Sequence, residues 1–187
     1  MHGPAVVSWL LAALTAAAAA SCISRLRSSP AQHRPPGTRR LPGHESDAAE
    51  ALMGLGMAAM AVTGPAVPAE VWAWLFGLPA AGFLLAALAP GWPGRRVHRL
   101  HHAVGALAMT YMALAMTASP AHAHHTAGAG LPLLTGGLLL YFGGYSLWAG
   151  SRLLAVPGGG IRTGTAGLPQ ACRLTMGIGM FAMLLTL

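Results

Sequence analysis

Residues 70–89 read EVWAWLFGLPAAGFLLAALA, and Pro90-Gly91 follows at once. Glu70 opens the run, and no further charge appears before Arg95. A bilayer core about 30 Å thick is crossed by roughly 20 apolar residues in a helix, so the stretch has the length of one span. Working outward, the same criterion marks residues 4–24, 48–63, 97–118, 131–151 and 169–187. Their ends are punctuated: Arg25 closes the first, Gly64-Pro65 the second, Ser119-Pro120 the fourth and Arg152 the fifth. Pro169 stands at the first turn of the last, where a missing N–H costs nothing. The expectation is an all-α polytopic membrane protein, a single domain over 1–187 with six transmembrane helices arranged as three helical hairpins. Residues 28–43, rich in Pro, Gly and Arg, read as a flexible cytoplasmic linker.

Composition supports that reading. Of 187 residues 55% are hydrophobic and 8% charged, too few charges to keep a soluble domain in solution. The net charge of +7 comes from eleven arginines against four acids, with no lysine. A soluble nucleic-acid binder would carry such a charge, but not this apolar content. The expected partners are therefore the lipid bilayer and either another membrane protein or a second copy of the chain, with no nucleic acid.

The arginines set the topology. Arg25, Arg27, Arg34, Arg39 and Arg40 fall between the first and second spans. Arg95, Arg96 and Arg99 fall between the third and fourth, and Arg152, Arg162 and Arg173 around the connection of the fifth to the sixth. With six spans all eleven share one side. The positive-inside rule makes that side cytoplasmic and places both termini outside the plasma membrane. A cleaved export signal at the N-terminus competes, since Ala20-Ser21-Cys22 resembles a lipoprotein cleavage box. No Arg or Lys precedes the apolar run, however, and cleavage would strand five arginines outside; a retained first helix is expected. Cys22 and Cys172 then sit at cytoplasmic helix ends and are expected to be reduced.

Methionine is segregated. Apart from Met1, all nine methionines lie in the even-numbered spans: Met53, Met57 and Met60; Met109, Met112 and Met116; Met176, Met180 and Met183. Each trio uses one 3-step and one 4-step, which stacks the side chains on one helical face. The faces extend toward Glu50, toward His98, His101 and His102, and toward Cys172. The connection after the fourth span carries His122, His124 and His125. Thioethers and thiolates select Cu(I), and imidazole accepts copper and zinc. If the three faces converge, they form a column that could pass a soft monovalent ion between an outer histidine entry and an inner Glu/His/Cys base. Stacked methionines on membrane helices resemble the Ctr-type copper transporters, whose Met-x-x-x-Met spacing is matched by Met53–Met57, Met112–Met116 and Met176–Met180. The remainder of the chain does not resemble them.

Blander readings accompany each of these. A methionine stripe in an apolar helix commonly fills a core. Asp47 and Glu50 form an Asp-x-x-Glu box suited to opening the second helix. Histidines beside Arg99 suit the headgroup level. The alternative function is thus a non-catalytic membrane scaffold or accessory subunit. A third is haem binding, with His98 or His102 ligating and His44 or a methionine completing the pair. Gly136, Gly143 and Gly150 form a small-residue strip for close packing, and Trp9, Trp72, Trp74, Trp92 and Trp148 an interfacial belt. No G-x-S-x-G, Walker loop, H-E-x-x-H or intramembrane Asp pair is present, so no enzyme is expected. The pattern establishes no cofactor; copper is the candidate that it offers.

Glu50-Ala-Leu-Met-Gly-Leu-Gly-Met-Ala-Ala-Met60 and His101-His-Ala-Val-Gly-Ala-Leu-Ala-Met-Thr-Tyr-Met112, in a lysine-free chain rich in Ala and Arg, resemble an uncharacterised group of small actinobacterial integral-membrane proteins. The resemblance implies a membrane location over nearly the whole chain and no established activity.

Overall fold

The structure, a computed structural model, describes residues 3–28, 42–63, 66–89, 93–118, 131–154 and 167–186. These residues form six α-helices and no strand: α1 (Gly3–Ser28), α2 (Pro42–Thr63), α3 (Ala69–Leu88), α4 (Pro93–Ala118), α5 (Pro132–Leu154) and α6 (Leu168–Leu184). The all-α expectation holds. Two helical stretches, Val6–Ser28 and Ala69–Leu88, are long and apolar enough to cross a membrane by length and composition. The other helices carry more polar residues or are shorter: α2 holds Glu45, Asp47 and Glu50, α4 three arginines, and α6 has 17 residues.

Three helices begin on a proline, Pro42, Pro93 and Pro132. Proline is pre-set for the first helical position and has no N–H to lose there. As a result α2 and α4 start earlier than their apolar stretches at 48 and 97, and α1 runs on past residue 24 to Ser28. Arg25, Arg27, Arg95, Arg96, Arg99, Arg152 and Arg173 therefore lie on helical turns instead of in connections. Asp47 is the sixth residue of α2, so it does not cap that helix.

The chain divides into two compact units, Met1–Val62 with Gly143–Gly179, and Thr63–Phe142 with Met180–Leu187. In the first, α1 turns a row of small residues inward: Ala12, Thr15, Ala19 and Cys22, at steps of three and four. This row lets α2 approach closely. A Cβ placed on Gly54 would lie 3.0 Å from the Thr15 carbonyl oxygen and 3.1 Å from the Ala19 Cβ, and would collide with the Met176 methyl. Gly179 and Gly177 of α6 serve the same purpose, against Thr15 and against Ser146 of α5. Of the strip expected on α5, Gly136 has nothing within 4 Å of a would-be Cβ and Gly150 meets Leu174 at 3.8 Å. Thr15 is fully buried, and its hydroxyl donates to the Leu11 carbonyl at 2.9 Å within its own helix.

In the second unit α3 packs along α4 through Trp72, Phe76, Ala80 and Ala87, which share one buried face. Two α4 arginines close the end of α3. Arg99 Nη1 donates to the Ala86 carbonyl at 2.8 Å and Arg96 Nε to the Ala87 carbonyl at 2.9 Å. They satisfy acceptors that a helix C-terminus leaves open and put positive charge at the negative end of its dipole. Tyr111 ties α4 to α5 through a 2.7 Å hydrogen bond with the Thr135 hydroxyl.

The outward faces are apolar. On α5, Leu133, Leu140 and Leu147 recur every seven residues and are 94%, 81% and 77% exposed. Trp9 and Leu10 on α1, and Trp74, Leu78, Leu85 and Leu88 on α3, are likewise exposed.

Candidate functional site

The first unit gathers its polar side chains at one place. Glu50 of α2 is buried, and each of its carboxylate oxygens is engaged. Oε1 accepts from Arg173 Nε of α6 at 3.0 Å and from the Ser46 hydroxyl at 3.0 Å. Oε2 lies 3.7 Å from Arg25 Nη2 of α1 and 3.6 Å from the Cys22 thiol, which donates to it. Arg25 Nη2 also pairs with Asp47 Oδ1 at 2.8 Å. Ser46, Asp47 and Glu50 stand at i, i+1 and i+4, so they share one side of α2. Glu50 thus joins three helices instead of opening one, and the residue expected to cap α2 with it holds Arg25.

Two thiols complete the cluster. Cys22 and Cys172 are both free and buried and pack together with Ala51, and Cys172 Sγ donates to the carbonyl of Ala18, one helical turn before Cys22, at 3.9 Å. Arg25 Nη2 donates to Cys22 Sγ at 3.4 Å. The ligand-capable atoms of Cys22, Asp47 and Glu50 all lie within 4.8 Å of each other. Cys172 and Glu50 were expected here. Cys22 was not, because 150 residues separate it from Cys172, and no spacing rule connects a cysteine at the end of α1 to one in α6.

Methionine burial is complete among the described side chains. Met53, Met57, Met60, Met109, Met112, Met176, Met180 and Met183 are all buried. Within the first unit, the α2 methionine face meets α6 at Met176 and Gly179, while Met180 and Met183 belong to the second unit. The Met176 methyl of α6 packs on Gly54 of α2, and Met57 Sδ lies 3.5 Å from where a Cβ on Gly179 would stand. The α4 face, with Met109 and Met112, belongs to the second unit. The side chain of Met116 lies outside the described residues, as do His122, His124, His125 and the side chain of His44.

The histidines of α4 form a separate group in the second unit. His98 and His102, one turn apart, bring their Nε2 atoms to 3.1 Å. His102 is buried, with its ring against Phe83 of α3 at a centroid distance of 5.4 Å. His101 points elsewhere on the helix, its Nδ1 2.8 Å from the Tyr141 hydroxyl. Tyr141 had no role in the sequence reading, and nothing in its spacing marks it.

Residues 42–187 match the family described as Domain of unknown function (DUF5134). The chain belongs to this family. The match takes in α2 through α6 with Glu50, the α4 histidines and Cys172; α1, with Cys22 and Arg25, precedes it. No curated protein and no solved structure matches the chain.

Proposed function

We propose that this DUF5134 chain is a six-span protein of the plasma membrane that handles a soft metal cation, copper(I) above all, through its methionine-bearing helices. The membrane half of the reading is supported by the inversion of the surface. Exposed patches of this size on a protein in water are interaction surfaces or liabilities. Here Leu, Val and Trp cover the outside of α1, α3 and α5, while Glu50, Thr15 and His102 are inside. That distribution suits hydrocarbon as the surroundings. The arginines at the ends of α1 and α5, at the start of α4 and in the second turn of α6 then stand at the cytoplasmic side, with both termini outside.

The observation that carries the chemical half is the meeting of the α2 and α6 methionine faces at Gly54 and Gly179. Packing alone would bury methionines against any apolar neighbour. Here thioethers from two helices are brought onto glycines of each other's faces, next to a pair of thiols. Thioether and thiolate sulfur select Cu(I) over harder ions. A series of uncharged thioethers offers weak successive sites, which a conducted ion needs in order to leave.

The test is a Cu(I) competition titration of the full-length chain in detergent, compared with a variant carrying Met57→Leu, Met112→Leu and Met180→Leu. Leucine keeps the volume and removes the sulfur, so packing is held nearly constant. The soft-metal reading expects bound copper and a weakened affinity in the variant. No bound copper, or equal affinity in both proteins, favours the scaffold reading, in which the methionines only pack. A Soret band in the absorption spectrum would favour haem.

A further inference from the structure

The three helices that converge on Glu50 leave their hard and soft donors in different states. Both carboxylates are held by guanidinium groups: Asp47 by Arg25 at 2.8 Å, Glu50 by Arg173 at 3.0 Å. Among the described residues, the ion pairs set two arginines against these two acids. A four-coordinate hard or borderline ion would have to strip at least one of those ion pairs to complete its shell. The thiols are held by longer and weaker contacts: Cys22 donates to Glu50 Oε2 at 3.6 Å and accepts from Arg25 at 3.4 Å, and Cys172 donates to the Ala18 carbonyl at 3.9 Å. Cys22 is fully buried and Cys172 nearly so, they come from opposite ends of the chain, and they pack in one cluster with Ala51.

We infer that Cys22 and Cys172 are the anchoring ligands of a site for a monovalent soft cation, set at the Glu50 end of the α2–α6 methionine contact. The assignment rests on the soft-metal reading above and names the residues that hold the ion most tightly. Cu(I) enters as cargo and changes no oxidation state. One S–H bond breaks as one S–Cu bond forms, the displaced proton leaves to water, and the second sulfur completes coordination through a lone pair. A cation of single charge that replaces one proton leaves the charge of the buried cluster unchanged. A divalent ion would have to displace two protons for the same result. Arg25, 3.4 Å from Cys22 Sγ, stabilises the thiolate that forms. Met176 follows Cys172 by four residues on the same face, and Met53 follows Glu50 by three, so thioethers take over within one helical turn. Thiolates bind more strongly than thioethers. The site is therefore the tight end of a graded series, a terminus for acquisition or delivery.

The experiment uses the full-length chain in detergent under reductant, with Cu(I) as the probe against a chromogenic chelator. Cys22→Ser/Cys172→Ser is expected to lose affinity about a hundredfold or more, the upper range that loss of a supporting group already reaches at metal sites. Met57→Leu/Met176→Leu is expected to lose less than about tenfold. On the unmodified chain, one equivalent of Cu(I) should produce a thiolate-to-metal charge-transfer band in the near ultraviolet and protect both cysteines from alkylation. This measurement decides the assignment even if the cysteine variant fails to fold. Copper bound by the wild-type chain with no such band and no protection overturns the thiol site while leaving soft-metal handling in place. No copper bound at all overturns both.

Discussion

Gly54 gives the sharpest test of how α1, α2 and α6 fit together. Alanine there adds one methyl group. Its Cβ would stand 3.0 Å from the Thr15 backbone oxygen and 3.1 Å from the Ala19 Cβ, with the Met176 methyl in the same space. The methionine can swing aside, being long and unbranched. The carbonyl and the Ala19 Cβ are fixed to α1, so α1 and α2 must separate. Overpacking of this kind costs about 1 to 3 kcal/mol, and the gain in helix propensity from Gly to Ala returns at most about 1 kcal/mol. Gly144 of α5 supplies the control, because it is exposed and nothing lies within 4 Å of its would-be Cβ. Gly144→Ala should therefore stabilise by about 0.5 to 1 kcal/mol from propensity alone. The two variants should differ by roughly 1 to 3 kcal/mol, since the propensity gain is common to both and only the clash distinguishes them. For a chain of this length that is a gap in Tm of about 2 to 12 °C, with Gly54→Ala the lower. Thermal unfolding in one detergent, followed by circular dichroism, measures the gap. Equal Tm values, or Gly54→Ala the higher, would refute the close approach of α1 and α2.

Three further outcomes follow from the ion pairs and hydrogen bonds. Glu50→Ala removes the buried partner of Arg173 and Arg25 and should cost about 3 kcal/mol in unfolding free energy, as breaking a buried pair from one side does. Arg173→Ala leaves the buried Glu50 carboxylate short of its 3.0 Å donor and should cost about 1 to 3 kcal/mol in the same denaturation series, as an under-satisfied buried acceptor does. Arg96→Ala/Arg99→Ala should speed hydrogen exchange over the last turn of α3, residues 85–88, and leave α1 unchanged. Tyr111→Phe removes the hydrogen bond to Thr135 and should lower stability by about 0.5 to 1.5 kcal/mol, read as a shift in denaturation midpoint. An unchanged midpoint would mean that the α4–α5 contact is held by packing alone.

Much of this architecture was legible in the sequence, and the parts that were not share a physical cause. Uninterrupted apolar length marks helices, so all six were found, and the i, i+3, i+4, i+7 spacing of Met53, Met57 and Met60 marks their buried face. The boundaries moved because proline reads as an interruption and also as the best first residue of a helix; Pro42 and Pro93 proved to be starts. The same shift undid the capping role of Asp47. Arg25 and Arg173 were read as rim charges that record orientation, whereas their guanidinium groups are the partners of Asp47 and Glu50. Local periodicity carries no information about pairs 123 residues apart, such as Glu50 and Arg173. For the same reason Cys172 was singled out without Cys22. The pairing of His98 with His102 is local, at i and i+4, and was visible from spacing; that of His101 with Tyr141 is not.

The Glu50 cluster also sets an order of assembly. Arg25 reaches both Asp47 and Glu50, so α1 and α2 can settle the buried carboxylate as soon as a helical pair has been synthesised. Arg173 arrives more than a hundred residues later and takes the opposite oxygen. The early partner keeps a costly charge compensated during the long interval before the chain is complete. The late one registers that α6 has come home. A chain that stops before Leu168 would keep its first pairing and lose only the half-exposed second. It would then expose Gly54 and the cysteine at the end of α1 to whatever surveys unfinished proteins.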